Sequence, residues 1–154
     1  MTARQKLKEI ELVVIVVKGK TYYAAPIKAY AGYFATTCGN IISYVSGYNG
    51  QGARITKGQP RVLVPQETGN GYRKLKMTTR EGKHTQEKVH RLVALTFLEP
   101  AGDDRNGNSR LEVNHLNGNR SDNRLCNLEL VSRSENQNWA VLLKAVMTEK
   151  CYAA

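Results

Sequence analysis

The sequence predicts an α+β chain, in which an N-terminal antiparallel β-sheet region is followed by a ββα unit. Three features predict it. Short β-branched and aromatic runs recur between Gly-, Asn- and Lys-bearing turns from Ile10 to Val89. A short apolar pattern at helical spacing follows them, and a strand, a polar loop and a second strand then lead into a helix-capping signature. At 154 residues the chain has room for one compact domain or a small domain with an appended arm.

The elements follow in order. Ile10 to Val17 reads as a strand, Lys18-Gly19-Lys20 as a turn, and Thr21 to Ala25 as the return strand of a hairpin. Tyr33 to Tyr44 reads as two short strands around Cys38-Gly39-Asn40, where Gly and Asn tolerate positive φ. Gly47 to Pro60 reads as a loop. Strands are expected at Arg61 to Val64, at Gly71 to Thr78 and near His84 to Val89, with Arg80 to Lys83 turning the last two. Tyr72, Lys74, Lys76 and Thr78 alternate with Arg73, Leu75 and Met77, so one face of that strand is basic and polar. In His90 to Leu98, Leu92 and Leu95, with Val93 and Phe97, fall at helical spacing before Pro100 stops the helix. Ala101 to Arg110 is a polar connection. A strand from Leu111 to Asn114, a loop from His115 to Cys126 and a strand from Leu128 to Val131 come next. Ser134 and Gln137 make a capping box for a helix reaching about Thr148, with Trp139, Leu142, Leu143, Val146 and Met147 on one stripe.

Charge narrows the function. Lys and Arg number 23 against 13 Asp and Glu, a formal net charge of +10, which excludes an acidic chaperone or a calcium buffer and points to an anionic partner. Ten cations against three carboxylates give residues 52–91 a surplus of +7, so the attraction concentrates upstream of the ββα unit. Cys38, Cys126 and Cys151 are widely spaced with no C-x-x-C pair, which fits neither a disulfide framework nor a zinc knuckle. The longest apolar run, Leu12 to Val17, is too short for a membrane span or a signal-peptide core, so a cytoplasmic protein is expected.

The chemistry-bearing residues converge at the ββα unit. Asn136 falls in the first helical turn, three residues before Trp139 on the same stripe, and an unpaired amide there would cost a few kcal/mol. Asn114 and His115 end the first strand of the hairpin that this helix would cross. A His, two amides and a basic sheet in one place suggest a hydrolytic phosphodiesterase site with a divalent cation.

The run Val113-Asn114-His115-Leu116-Asn117-Gly118-Asn119, with Asp122-Asn123-Arg124, Asn127-Leu128-Glu129 and Val131-Ser132-Arg133-Ser134-Glu135-Asn136, closely resembles the HNH motif of phage and intron-encoded homing endonucleases. Val89-His90-Arg91-Leu92-Val93-Ala94 is similar to the helix that leads into that motif. Pro26 to Tyr33 and Gly39 to Ser43 resemble the small DNA-binding module that often precedes it. The resemblance implies an N-terminal arm or hairpin (1–25), an antiparallel β DNA-binding region (26–88) and an HNH ββα-metal nuclease region (89–154). It implies His115 as general base and Asn127 as the residue that braces the loop and orients the His115 ring. Asn114 and Asn136 become ligands of one Mg2+ or Mn2+. Several relatives place Asp before the catalytic His; Asn114 here leaves the motif without a carboxylate on the metal.

Double-stranded DNA is then the partner, bound by a monomer or homodimer with no obligate protein partner visible, in a phage-encoded protein acting in its host cell. Arg54, Arg61, Tyr72, Arg73, Lys74, Lys76, Arg80, Lys83, Lys88, Arg91, Arg120 and Arg124 are the expected DNA contacts, with a β-ribbon in the major groove. His90 is expected to be structural or to touch phosphate, His84 to be solvated, Asn117, Asn119 and Asn123 to form the loop, and Cys126 to be a small buried residue. Two other readings stay open: a DNA-binding protein that has lost catalysis on the same scaffold, and a non-specific HNH nuclease.

Overall fold

The computed structural model describes residues 7–48, 51–56, 58–99, 111–132 and 137–138. Among them are twelve strands, one α-helix and a 3-10 turn. The first hairpin joins β1 (Val13–Val17) to β2 (Lys20–Pro26). Its two turn residues, Lys18 at φ 49° and Gly19 at φ 78°, both take the left-handed conformation that matches strand twist in a two-residue turn. β3 (Tyr33–Thr36), β4 (Ile41–Ser43) and β7 (Arg61–Val62) complete a sheet in the order β1-β2-β3-β4-β7. The expected loop from Gly47 to Pro60 is corrected: β5 (Val45–Tyr48) and β6 (Ala53–Ile55) pair as a hairpin that occupies much of it. Gly47 obscures the alternation, and the pairing is irregular between Val45 and Gly47.

A second sheet is built on the basic ribbon. β9 (Arg73–Thr78) pairs with β10 (His84–Lys88) on one side and with β8 (Gln66–Glu67), too short to read from sequence, on the other. Alternation buries Leu75 and Met77, leaving Lys76 exposed on the opposite face. β10 runs directly into α1 (Val89–Phe97). Val89, Leu92, Val93, Ala94 and Phe97 bury one face of that helix. They pack with Ala25, Ile27, Tyr33, Ile41, Leu75, Met77, Val113, Leu128 and Leu130 in one core, so the first sheet, the ribbon and the final hairpin all rest on α1.

That hairpin pairs β11 (Glu112–His115) with β12 (Leu128–Val131), Val113 opposite Leu130 and His115 opposite Leu128. His115 therefore ends a strand instead of opening the loop. The expected helix from Ser134 to Thr148, with its cap and apolar stripe, lies outside the described residues apart from helical Gln137 and Asn138. So does the connection from Ala101 to Arg110.

Candidate active site

His115 is fixed from both ends of the hairpin loop. Its ring shares the strand face of Val113, which packs into the core toward α1, and the residue is only 5% exposed. Nε2 donates to Asn123 Oδ1 at 3.1 Å. A carbonyl oxygen can only accept, so the ring carries its proton on Nε2 and keeps the Nδ1 lone pair. Burial pushes the imidazole below its ordinary pKa, Arg120 pushes the same way, and the Asn123 bond and Asp122 oppose them. A neutral ring with an oriented lone pair is the state a general base requires.

The loop that presents Asn123 is held by Asn127, in the 3-10 turn Leu125–Asn127. Asn127 Oδ1 accepts the Asn117 N–H at 2.9 Å, and Nδ2 donates to Asn117 Oδ1 and to the Asp122 carbonyl, each at 2.9 Å. Asn127 thus spends its amide on the loop, and the contact to the ring comes from Asn123, which the sequence reading treats as a loop former. Outside support comes from the β3–β4 turn: Leu125 N–H donates to the Thr37 carbonyl at 3.0 Å, and Gly39 at φ 87° backs directly onto the Asn123 carbonyl. Cys126 is exposed, a correction to the buried position expected, because Leu125 and Asn127 supply the inward contacts of the turn.

Two residues join His115 from other elements. His90, in the first turn of α1, is 5% exposed, with its ring 5.1 Å from that of His115 in an edge-to-face arrangement. Burial first, then the charges of His115, Lys88 and Arg91, hold its pKa down to about 3. Tyr72, expected on the DNA ribbon, instead sets its ring 4.9 Å from His90 and 6.0 Å from His115. Only the pairing of β9 with β10, which delivers the chain into α1, brings it there.

Asn114 is 6% exposed and, by alternation, lies on the strand face opposite His115, with Glu129 directly across the pair. An amide oxygen and a carboxylate are hard donors suited to Mg2+. Asp122 is already committed: Arg124 grips it through two bonds of 2.9 and 2.8 Å, Asn117 donates to it at 2.9 Å, and its pKa falls to about 2, with Arg124 the main cause. Among the described residues no group of three His, Cys, Asp or Glu could hold a metal, and Asn136 lies outside them.

The expected DNA contacts divide. Arg61, Lys76, Arg80, Lys83 and Lys88 are exposed. Lys74 shares the outer ribbon face and donates to Gln86 at 3.0 Å. Arg73 faces the other way, and its Nε is buried with no hydrogen-bond partner among the described residues. Arg91 is half-buried and donates to the Leu111 carbonyl at 3.3 Å, and Arg124 is neutralised by Asp122. Arg120 donates to the Asn70 carbonyl at 3.1 Å. The Arg54 side chain lies outside the described residues. His84 is exposed, and its Nδ1 is hydrogen-bonded with Thr78 Oγ1 at 3.1 Å.

Among known proteins, the sequence profile described as HNH endonuclease matches residues 87–138. An uncharacterized HNH endonuclease of Acanthamoeba polyphaga mimivirus is 38% identical over 79 residues, which is 51% of this chain and 19% of that protein. A solved structure, described as DNA binding and cleavage by the HNH homing endonuclease I-HmuI, superposes with a TM-score of 0.56 at 25% identity, covering 82% of this chain and 66% of that one. The chain thus spans about a fifth of the curated relative and just under two thirds of the solved one. Among the described residues no helix is long and apolar enough to cross a membrane.

Proposed function

Since the chain carries an HNH endonuclease domain at residues 87–138, we propose that it is a metal-dependent DNA endonuclease of the homing type, hydrolysing phosphodiester bonds at a specific site. The observation that carries this reading is the His115 ring, buried, neutral and anchored through Nε2 to Asn123, with Nδ1 left to accept a proton. In the reaction His115 takes the proton of the attacking water through Nδ1. Asn123 orients the ring and stabilises the imidazolium through its carbonyl, while Asn127 keeps the loop from shifting during the step. Asn114 and Asn136 would hold one Mg2+ or Mn2+. A cation held there would supply stabilisation of negative charge on the phosphate and the leaving oxygen.

Residues 26–88 are the proposed DNA-binding region, with residues 1–25 as an arm and 89–154 as the nuclease region. Lys74, Lys76, Arg80, Lys83 and Lys88 are the proposed phosphate contacts of the ribbon. A single site of this kind cuts one strand, so a monomer nicks and a double-strand break needs a dimer or two events.

The test is nicking of supercoiled plasmid and of genomic DNA from a candidate phage with Mg2+, with and without EDTA. His115→Ala is expected to lower the rate by ~10² to 10⁴ and leave affinity within a few-fold, because the base acts in the chemical step. Retention of a tenth of the wild-type rate would assign the base elsewhere. Absence of any metal-dependent nick would leave a DNA-binding protein, and a smear in place of discrete bands would make the nuclease non-specific.

A further inference from the structure

Tyr72 lies outside residues 87–138, yet it gathers two cations beside the site. Lys88 Nζ stands 4.9 Å from its ring centroid and the Arg120 guanidinium carbon 5.0 Å from it. Lys88 ends the ribbon and Arg120 comes from the loop after His115, so neither is brought to the other by local chain geometry. We propose that Tyr72, Lys88 and Arg120 form a phosphate clamp, which takes the DNA phosphodiester flanking the one cut at His115, with Tyr72 as the positioning residue. The inference rests on the reading that His115 cleaves DNA.

Both cations are exposed, and among the described residues neither is paired with a carboxylate. Two like charges at one ring repel, and the negative face of the ring offsets that only in part. An anion between or beside them removes the repulsion. Arg120 is aimed by the β8–β9 turn: its Nη1 donates to the Asn70 carbonyl at 3.1 Å, and a methyl group on Gly71 would stand 3.7 Å from its Cβ. Among the described residues the outer ribbon face carries no acid. The outer ribbon face presents Gln66, Lys74, Lys76, Thr78, His84, Gln86 and Lys88, whereas Glu67 pairs with Arg73 and Glu87 with Leu75 on the other face. The Tyr72 ring is 6.0 Å from His115, which sets the clamp next to the base.

Binding of a duplex of about 30 base pairs is followed by fluorescence anisotropy in EDTA, across salt, so that the readout does not depend on cleavage. Lys88→Gln and Arg120→Gln are each expected to weaken binding several-fold, and the pair together to flatten the salt slope by about 0.9, the share of one phosphate. Tyr72→Leu changes no charge, yet is expected to weaken binding on the order of tenfold, and Tyr72→Phe, which keeps the ring, to restore most of it. In the Lys88→Gln/Arg120→Gln background Tyr72→Leu should cost less than about twofold, because its cations are gone. The same cost in both backgrounds would make Tyr72 merely structural and overturn the clamp. Should Tyr72→Leu not fold, the two surface variants decide: cations sharing one phosphate give sub-additive losses, and additive losses refute the proposal. Plasmid nicking run in parallel separates the readings. Wild-type nicking with additive binding sinks the clamp alone, whereas coupled binding without metal-dependent nicking sinks the nuclease reading and leaves Tyr72, Lys88 and Arg120 as a phosphate-binding clamp with no cut beside it.

Discussion

Gly39→Ala tests whether the loop that presents Asn123 to His115, the proposed base, is held from the β3–β4 turn. Gly39 has φ 87°, a conformation that costs an L-residue about 1–2 kcal/mol. Its new methyl carbon would fall 2.6 Å from the Asn123 carbonyl carbon, 2.7 Å from its oxygen and 2.8 Å from the Arg124 nitrogen. All three are backbone atoms that no rotamer change can remove, so the turn and the loop must separate. That separation strains the Leu125–Thr37 hydrogen bond and displaces Asn123 from His115 Nε2. Conformational strain and the lost contact together should cost roughly 2–4 kcal/mol, or about 5–12 °C in Tm for a domain of this size. A base misplaced by about 1 Å can lose ~10² in rate, so nicking should fall by one to two orders of magnitude. Gly19→Ala is the matched control. Gly19 has φ 78°, with nothing within 4 Å of the added carbon, so only the conformational cost remains and nicking should stay at the wild-type rate. Thermal unfolding by circular dichroism and plasmid nicking with Mg2+ measure both variants. If Gly39→Ala behaves like Gly19→Ala in both assays, the loop does not depend on the β3–β4 turn.

Further expectations concern pH, salt and metal. The folded-state pKa of His90 lies near 3 against 6.5 unfolded, so the unfolded chain takes up the proton first, and stability falls as pH drops from about 6.5 toward 3. By pH 4.5 the loss is on the order of 2–3 kcal/mol, visible as a shifted urea midpoint; a His90→Gln variant with undiminished acid sensitivity would refute the assignment. Across 50 to 200 mM salt, DNA affinity should fall by about three decades if some six phosphates are neutralised. Lys74→Ala/Lys76→Ala should flatten that slope by up to ~2 units and Arg73→Ala by much less, since Arg73 faces the opposite side of the ribbon; an equal effect from Arg73 would put the DNA on another face. With Asn114 and Asn136 as the proposed ligands, the free protein should bind Mg2+ weakly in calorimetry, and Asn114→Asp should tighten it without loss of cleavage. Tight binding by the unmodified protein would bring in Glu129, across the strand pair from Asn114.

Local chemistry made much of this protein legible from the sequence alone. Alternation along Tyr72 to Thr78, the Lys18-Gly19 turn and the helical spacing of Leu92, Leu95, Val93 and Phe97 are short-range signals, and each corresponds to an element observed, although Leu95 is exposed on α1. The strand around Asn114 and the return from Leu128 were readable for the same reason. What only the tertiary structure decided depends on pairings distant in sequence. The β5–β6 hairpin has no clean period, because its strands are short and Gly47, which fits a strand poorly by propensity, sits where the pairing is irregular. Asn123 could be told from Asn117 and Asn119 only once the loop folded around Asn127, since all three suit turns equally. Tyr72 looked like one more ribbon residue until β9, paired to the strand that feeds α1, carried it to the two histidines. Residue types and spacings single out His115 as the proposed base, and long-range packing decides which neighbours hold its ring, its loop and the cations beside it.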